Sequence, residues 1–492
     1  MPVRPGMQAK EEQQTYKQLE DELVGVVGRD FVLSSPVDLC VYECDGETLD
    51  VARPDLVVLP ASTEEVISVV RLAGKYGVPL TPRGAATGLS GGATTVAGGV
   101  SLVLTRMTRV IEIDPDNMSA VVEVGVTNAT VSREAEKFGL YFAPDPSSQA
   151  ACTVGGNIAE NAGGPHTLKY GTTTNHVLGA KVVLPDGTAI TIGGKRRDYL
   201  SLDLLGVLVG SEGTLGIVTE AVLRLMARPE AIETMIAYFP SVAAGGQAVS
   251  DIVAAGVIPA AMEMVDQLTL CAVEDALGLG LDRSAGALLI VELDGPRAGI
   301  AVHKEVVVDC ARKNGATTLK WAADAGERAS IWQARKAAFG SLGRISPHGY
   351  VLDGVIPRSK LSEAITRIAG IGEKYDLVIA NVYHAGDGNL HPCLLYNRDD
   401  LDQVKRVIAA GREILELCVS LGGTLSGEHG IGVEKILEMP CVFSQADLRA
   451  MEWVREAFNP AGLLNPGKVL PSPKTCGESG GRALLRHQLS LH

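Results

Sequence analysis

Apolar and polar positions alternate along the first half of the chain in short, distinct blocks. LVVLP (56–60) is a brief apolar run of the kind a buried strand makes. STEEVISVVRLAGKYG (62–77) follows with helical spacing, Ser62 or Thr63 as cap, acids in the first turn and Gly77 as stop. VPLTPRG (78–84) is a second strand, so these segments predict one βαβ unit. GVSLVLT, VIEID and SAVVEVG continue as strands before the helix TNATVSREAEKFG. Residues 177–192 alternate about Asp186-Gly187, the signal of a hairpin. An α+β region to about residue 228 is expected.

A second region opens at RPEAIETMIAYFP (228–240). It reads as helix-rich over 242–282, then strand ALLIVEL, helix AGIAVHKEVVVDCARKNG, strands DLVIANVYH and LHPCLLY around a glycine turn, and a long helix at 399–421. Before residue 50 a charged helix gives way to a looser extended arm. FNPAGLLNPGKVLP (458–471) resumes the Pro/Gly texture of the first region, and a frayed tail is expected from Ser472.

Charge narrows the ligand classes. With 44 Lys and Arg against 58 Asp and Glu, the net charge is −14, unfavourable for nucleic acid or an anionic membrane surface. The nine cysteines are scattered with no CxxC pair, which reads as reduced thiols and excludes an iron–sulfur site. The N-terminal residues carry no secretory signal, and no apolar run approaches the roughly 18 residues of a membrane span. A cytoplasmic protein is expected, with a peripheral position on the inner face of the cell membrane as the alternative.

Glycine is abundant (56 residues) and unevenly placed. PRGAATGLSGGA (82–93) follows a strand, and its bare N–H groups suit phosphate oxygens. PDPSSQAACTVGGNIAENAGGPHTLKYGTTTNHVLG (144–179) and GSEGTLGIVTE (210–220) are two more such loops. Together they suggest a long ligand lying along backbone. There is no GxGxxG in a βαβ setting, and GLLNPGK (462–468) continues with Val469 instead of Ser or Thr, which rejects a P-loop. NVYHAGDGNLHP sets His384 and His391 seven residues apart across a turn, and LSGEHGIG adds Glu428 and His429. Two imidazoles and a carboxylate suit a divalent ion of zinc, manganese or iron with positions left open. Of the adjacent Glu428 and His429, only one is expected as a ligand; the other is free for acid–base work.

Taken together, YECDG, TPRGAATGLSGGA, YFAPDPSSQAACTVGGNIAENAGG, GSEGTLGIVTE, IWQARKAAF, GRISP, DGVIPR, YHAGDGNLHP, SGEHGIGVEKI and LNPGK resemble the FAD-linked oxidases of the vanillyl-alcohol-oxidase type. Within them, GRISP with DGVIPR points to the glycolate branch more than to the 2-hydroxyglutarate enzymes. The resemblance implies an α+β fold: a two-part FAD-binding domain closed by an α+β cap domain. On this chain that means an N-terminal helix and arm (1–50), an FAD domain (51–228), a cap (229–440), a returning segment (441–471) and a flexible tail (472–492).

The resemblance also implies roles. Arg83, Gly84, Ala85, Thr87, Gly88, Leu89, Ser90, Gly91 and Gly92 would hold the FAD pyrophosphate. Pro144, Asp145, Ser147, Thr153, Gly155, Gly156, Asn157, Gly164, Tyr170 and Gly171 would line the flavin and ribityl chain. Glu212, Gly213, Gly216, Ile217 and Val218 would pack beside adenine. No histidine stands in TPRGAATG to attach the flavin, so FAD is expected to be non-covalent. Arg335 would grip the substrate carboxylate, His384, His391 and Glu428 would ligate the metal, His429 would be the catalytic base, and Asn389 would orient the substrate. Phe339 stands where the 2-hydroxyglutarate enzymes carry a threonine, which disfavours a dicarboxylate. The implied partners are a second FAD-domain subunit and an iron–sulfur subunit. Three rival readings stand beside this one: a D-lactate or other D-2-hydroxy-acid dehydrogenase acting alone, a non-catalytic FAD-binding subunit, and a flavin-free metal hydrolase, the last leaving all three glycine loops unexplained.

Overall fold

The computed structural model describes residues 5–195 and 202–471; the tail expected from Ser472 lies outside them. Helix Thr63–Tyr76 starts where Ser62 accepts the Glu65 N–H and stops at Gly77 (φ 64°). Its buried Val66, Val69, Val70 and Ala73 form a stripe at helical spacing that packs on a small sheet. That sheet runs Val32–Leu33, Leu56–Val58, Val100–Val103, Leu80–Arg83, its last three strands parallel. A five-stranded antiparallel sheet follows, ordered Val110–Asp114, Ser119–Glu123, Ile217–Arg224, Val177–Val183, Ala189–Gly193. The last two are the expected hairpin, with Gly187 at φ 78° in its turn.

The second region is built on an eight-stranded sheet. Strands Ala231–Phe239, Ala287–Gly295, Ala261–Asp266, Val378–His384 and Asn389–Tyr396 lie side by side. One face packs on helices Val242–Ala254, Arg297–Lys313, Leu361–Tyr375 and Leu401–Ser420, the other on Gln267–Leu277 and Ala325–Lys336. Strand Ala261–Asp266 corrects the helix-rich expectation for 242–282. It is buried throughout, and apart from Glu263 and the terminal Asp266 both faces are apolar, so the usual apolar/polar alternation is missing. The arm before residue 50 also differs from the extended chain expected. It is a series of short helical turns, because Ser35 accepts the Asp38 N–H and Pro36 presets the first turn.

Beyond helix Gln445–Phe458 the chain returns to the first region. Leu80 donates its N–H to the Leu463 carbonyl, and Asn465 donates back to Leu80. Lys468, in the rejected P-loop run, is fully buried and donates to the carbonyls of Gly92 and Thr94. It anchors the first glycine loop from behind. Among the described residues no helix is long and apolar enough to cross a membrane.

Candidate active site

A cleft enclosing about 1510 Å³, open solvent at its mouth included, runs between the glycine loops and the large sheet. From the first region it is lined by Arg83, Gly84, Ala85, Thr87, Gly88, Leu89, Gly92, Ser147, Thr153, Gly155, Gly156, Asn157, Glu212, Gly213, Gly216, Ile217 and Val218. From the second come Arg335, Phe339, His384, His391, Glu428 and His429. The other expected residues do not line it. Ser90 and Gly91 turn toward Val433, and the Ser90 carbonyl accepts the N–H groups of Val433 and Glu434. Pro144 accepts from Asn128 through its carbonyl, Asp145 and Gly164 pack together beside His166, Tyr170 bonds Asp294, and Gly171 lies against Asn175. Asn389 is buried beside Gly427.

The glycine wall leaves room for a ligand close to backbone. A Cβ on Gly88 or Gly156 would meet nothing nearer than 3.4 Å, so both present bare main chain to the cleft. Thr153 caps the following helix by accepting the Gly156 N–H at 3.2 Å. Arg83 lines this wall, but its guanidinium donates to the Cys44 and Tyr42 carbonyls at 2.9 and 3.4 Å, bracing the loop instead of reaching outward. A long, backbone-lined cleft with these openings fits FAD. Two acids here had no role assigned from the sequence. Asp45 accepts the Ala93 N–H, and burial pushes its carboxyl up to about 6. Glu160 lines the cleft, and burial next to Glu212 raises its carboxyl well above the usual range.

The opposite wall converges on Glu428. His384 ends one strand of the expected turn and His391 lies on the returning one; their Nε2 atoms stand 3.0 and 3.1 Å from Glu428 Oε1, and the rings meet edge to face at 5.0 Å. The Nδ1 atoms look away. His384 Nδ1 meets Glu263 at 2.7 Å, and His391 Nδ1 donates to the Leu352 carbonyl at 3.1 Å. A carbonyl only accepts, so neutral His391 has its proton on Nδ1 and a bare Nε2 toward Glu428. A lone pair facing a carboxylate oxygen calls for a cation between them. This donor set therefore fits a divalent ion, with Glu263 and Leu352 orienting the imidazoles.

His429 stacks parallel on His391 at 4.8 Å, and its Nδ1 is buried without a hydrogen-bond partner. Burial holds its imidazole down at about 4 against the pull of Asp353, so it is neutral near pH 7. Asp353, also without an assigned role in the sequence, clamps this loop. Its carboxylate takes the Ser426 hydroxyl at 2.5 Å and the N–H groups of Gly427, Glu428 and His429 at 2.8–3.1 Å. Burial opposes that charge, but its positively charged surroundings, Lys435 among them, hold the carboxyl at about 2. Asp353→Asn swaps an acceptor for a donor facing N–H groups. We expect about 1–3 kcal/mol of lost stability, read as a lower Tm; an unchanged Tm would contradict the clamp.

Arg335 is 3% exposed and makes a salt bridge to Glu263 at 2.6 Å. Glu263 thus joins the arginine and the first imidazole. Its signal in the sequence was slight: one acid inside the apolar run AAMEMV.

Residues 54–193 match the family described as FAD binding domain, and 228–469 that described as FAD linked oxidases, C-terminal domain. The chain is 44% identical to glycolate oxidase subunit GlcD of Escherichia coli (strain K12), covering 91% of this chain and 90% of the relative. It is 32% identical to a D-lactate dehydrogenase of Anaerostipes hadrus, covering 85% and 90%. In fold it is similar to p-cresol methylhydroxylase with substrate bound, with a TM-score of 0.79 at 17% identity over 93% of this chain and 97% of that one.

Proposed function

Because the chain belongs to the FAD-linked oxidases, we propose that it oxidises a small 2-hydroxy acid, glycolate or D-lactate, to the 2-oxo acid. It is an FAD-dependent 2-hydroxy-acid dehydrogenase. One observation carries the choice of substrate site: Arg335, His429 and the His384–His391–Glu428 cluster face the glycine wall across one cleft.

Arg335 binds the substrate carboxylate, sharing its planar fork with Glu263. His429, neutral and with a free ring nitrogen, takes the proton of the α-hydroxyl. Bound FAD supplies the acceptor for the hydrogen leaving C2. A divalent ion held by His384, His391 and Glu428 would polarise the hydroxyl. Phe339 borders the substrate end and meets His391 edge-on at 6.3 Å. The cations lining the cleft among the described residues are Arg83 and Arg335, and Arg83 is committed to carbonyls. A second substrate carboxylate therefore has no counter-charge, which favours monocarboxylates.

Two electrons must then leave the flavin. No CxxC or haem motif is present in the sequence, so a second FAD-domain subunit and an iron–sulfur subunit are the proposed onward carriers, at the cytoplasmic face of the cell membrane.

The test is anaerobic mixing of the yellow protein with single acids. Glycolate and D-lactate should bleach the flavin, and D-2-hydroxyglutarate should leave it oxidised. Chelator treatment should stop bleaching while the flavin spectrum persists. A colourless protein that cannot be reconstituted with FAD would point back to the metal-hydrolase reading.

A further inference from the structure

The seam between the flavin-side loop and the large sheet carries a charged bridge that the chemistry above leaves unused. His166 Nδ1 lies 2.7 Å from Asp145 Oδ2, and its Nε2 lies 3.0 Å from Glu292 Oε1. The His166 backbone N–H also donates to Asp145 Oδ1. Glu292 belongs to strand Ala287–Gly295, and its other oxygen accepts the Thr234 hydroxyl at 2.6 Å and the Trp332 indole N–H at 2.7 Å. Trp332 lies on helix Ala325–Lys336 one turn before Arg335, and its ring lies against His166 at 5.6 Å. Asp145 sits just before Pro146, Ser147 and Ser148 of the cleft wall. One imidazole therefore ties the loop beside the cofactor to the helix that presents Arg335.

A neutral imidazole has one N–H, so it would turn a lone pair on one of the two carboxylates. Both contacts are satisfied only by the imidazolium. Asp145 and Glu292 are the charged groups facing the ring, and the nearby cation Lys169 is paired with Asp294, which also accepts from Tyr170. Burial works against the charged imidazole, but the two acids outweigh it and raise its pKa well above 6.5.

We propose that His166 is a positioning residue: as an imidazolium bridging Asp145 and Glu292, it fixes the Arg335 helix against the flavin-side loop. The link is present at low pH and is lost as pH rises through the raised pKa of His166, when one of the two contacts turns repulsive. The proposal rests on Arg335 as the substrate arginine, but its first test needs no substrate.

The chain has three tryptophans. In a Trp321→Phe, Trp453→Phe background of the FAD-loaded protein, Trp332 reports on its neighbour, because an imidazolium quenches indole emission and a neutral imidazole quenches less. Emission should rise with pH at a midpoint well above 6.5, and Glu292→Gln should move that midpoint downward. A midpoint at or below 6.5, or no titration, would overturn the bridge. In steady state, His166→Gln should raise KM for the hydroxy acid about tenfold, the size of one lost charge-assisted hydrogen bond, with kcat within about threefold. It should also abolish the alkaline rise in KM that the parent shows. An unchanged KM, or a KM that still climbs with pH in His166→Gln, would sink the positioning role even if the fluorescence titrates.

Discussion

Flavin reduction by the hydroxy acid is expected to slow by about 10²–10⁴-fold when His429 is replaced by glutamine, the range for losing a placed general base. Glutamine approximates the length of the ring but cannot take a proton. The loop should hold its place, because Asp353 grips it through backbone N–H groups that the substitution leaves untouched. FAD content and flavin spectrum are therefore expected to match the parent protein. The measurement is a single anaerobic turnover in a stopped-flow instrument, so that steps after flavin reduction do not mask the loss. Undiminished reduction with a normal flavin spectrum would remove His429 from the chemistry. Stacking makes the assignment sharp: His391 lies parallel to His429 with a 7° interplanar angle, and the base stands beside the imidazole pair without sharing its carboxylate.

What could be read from the sequence divides along a physical line. Helix Thr63–Tyr76, the hairpin at Gly187 and the His384–His391 turn depend on caps, turn residues and periodicity within a dozen or so neighbours, and those are written locally. The glycine loops were legible for the same reason: a missing side chain is visible in the sequence whatever packs against it. Glu263, Asp353 and His166 take their meaning from partners 72, 75 and 126 residues away, to Arg335, Glu428 and Glu292 respectively. No local pattern encodes such pairings. Asp145, Tyr170 and Asn389 show the converse: resemblance marks them, yet their side chains turn to His166, Asp294 and the Gly427 backbone rather than to the cleft. Strand Ala261–Asp266 was hidden because burial on both faces erases the alternation that announces a strand.

The largest loss of stability is expected from Glu263→Gln, about 3–5 kcal/mol, because it removes the anion that pairs the buried Arg335 guanidinium and accepts from the buried His384 imidazole. Glu263 is 1% exposed on a central strand, between Met262 and Met264. It meets Arg335 at 2.6 Å and His384 Nδ1 at 2.7 Å. Burial opposes its charge, and Arg335 and His384 together still hold its carboxyl below the ordinary value. A glutamine oxygen serves one of these donors weakly, while its NH₂ group faces the other as a clash of donors. His384 loses the contact that fixes its tautomer, so metal affinity should fall by about 10–100-fold as well. Urea denaturation should show a lower midpoint with an unchanged slope. A midpoint that stays within the equivalent of about 0.5 kcal/mol, the range of an ordinary surface substitution, would show that Glu263 is not holding these charges. Glu263→Leu combined with Arg335→Leu separates fold from function. Apolar replacement of a whole buried ion pair is often neutral or stabilising, so much of the lost stability should return. Oxidation of the hydroxy acid should not return, since the group that binds the substrate carboxylate is gone. Recovered stability without recovered turnover would show that the buried pair is kept for the site it serves and not for the fold.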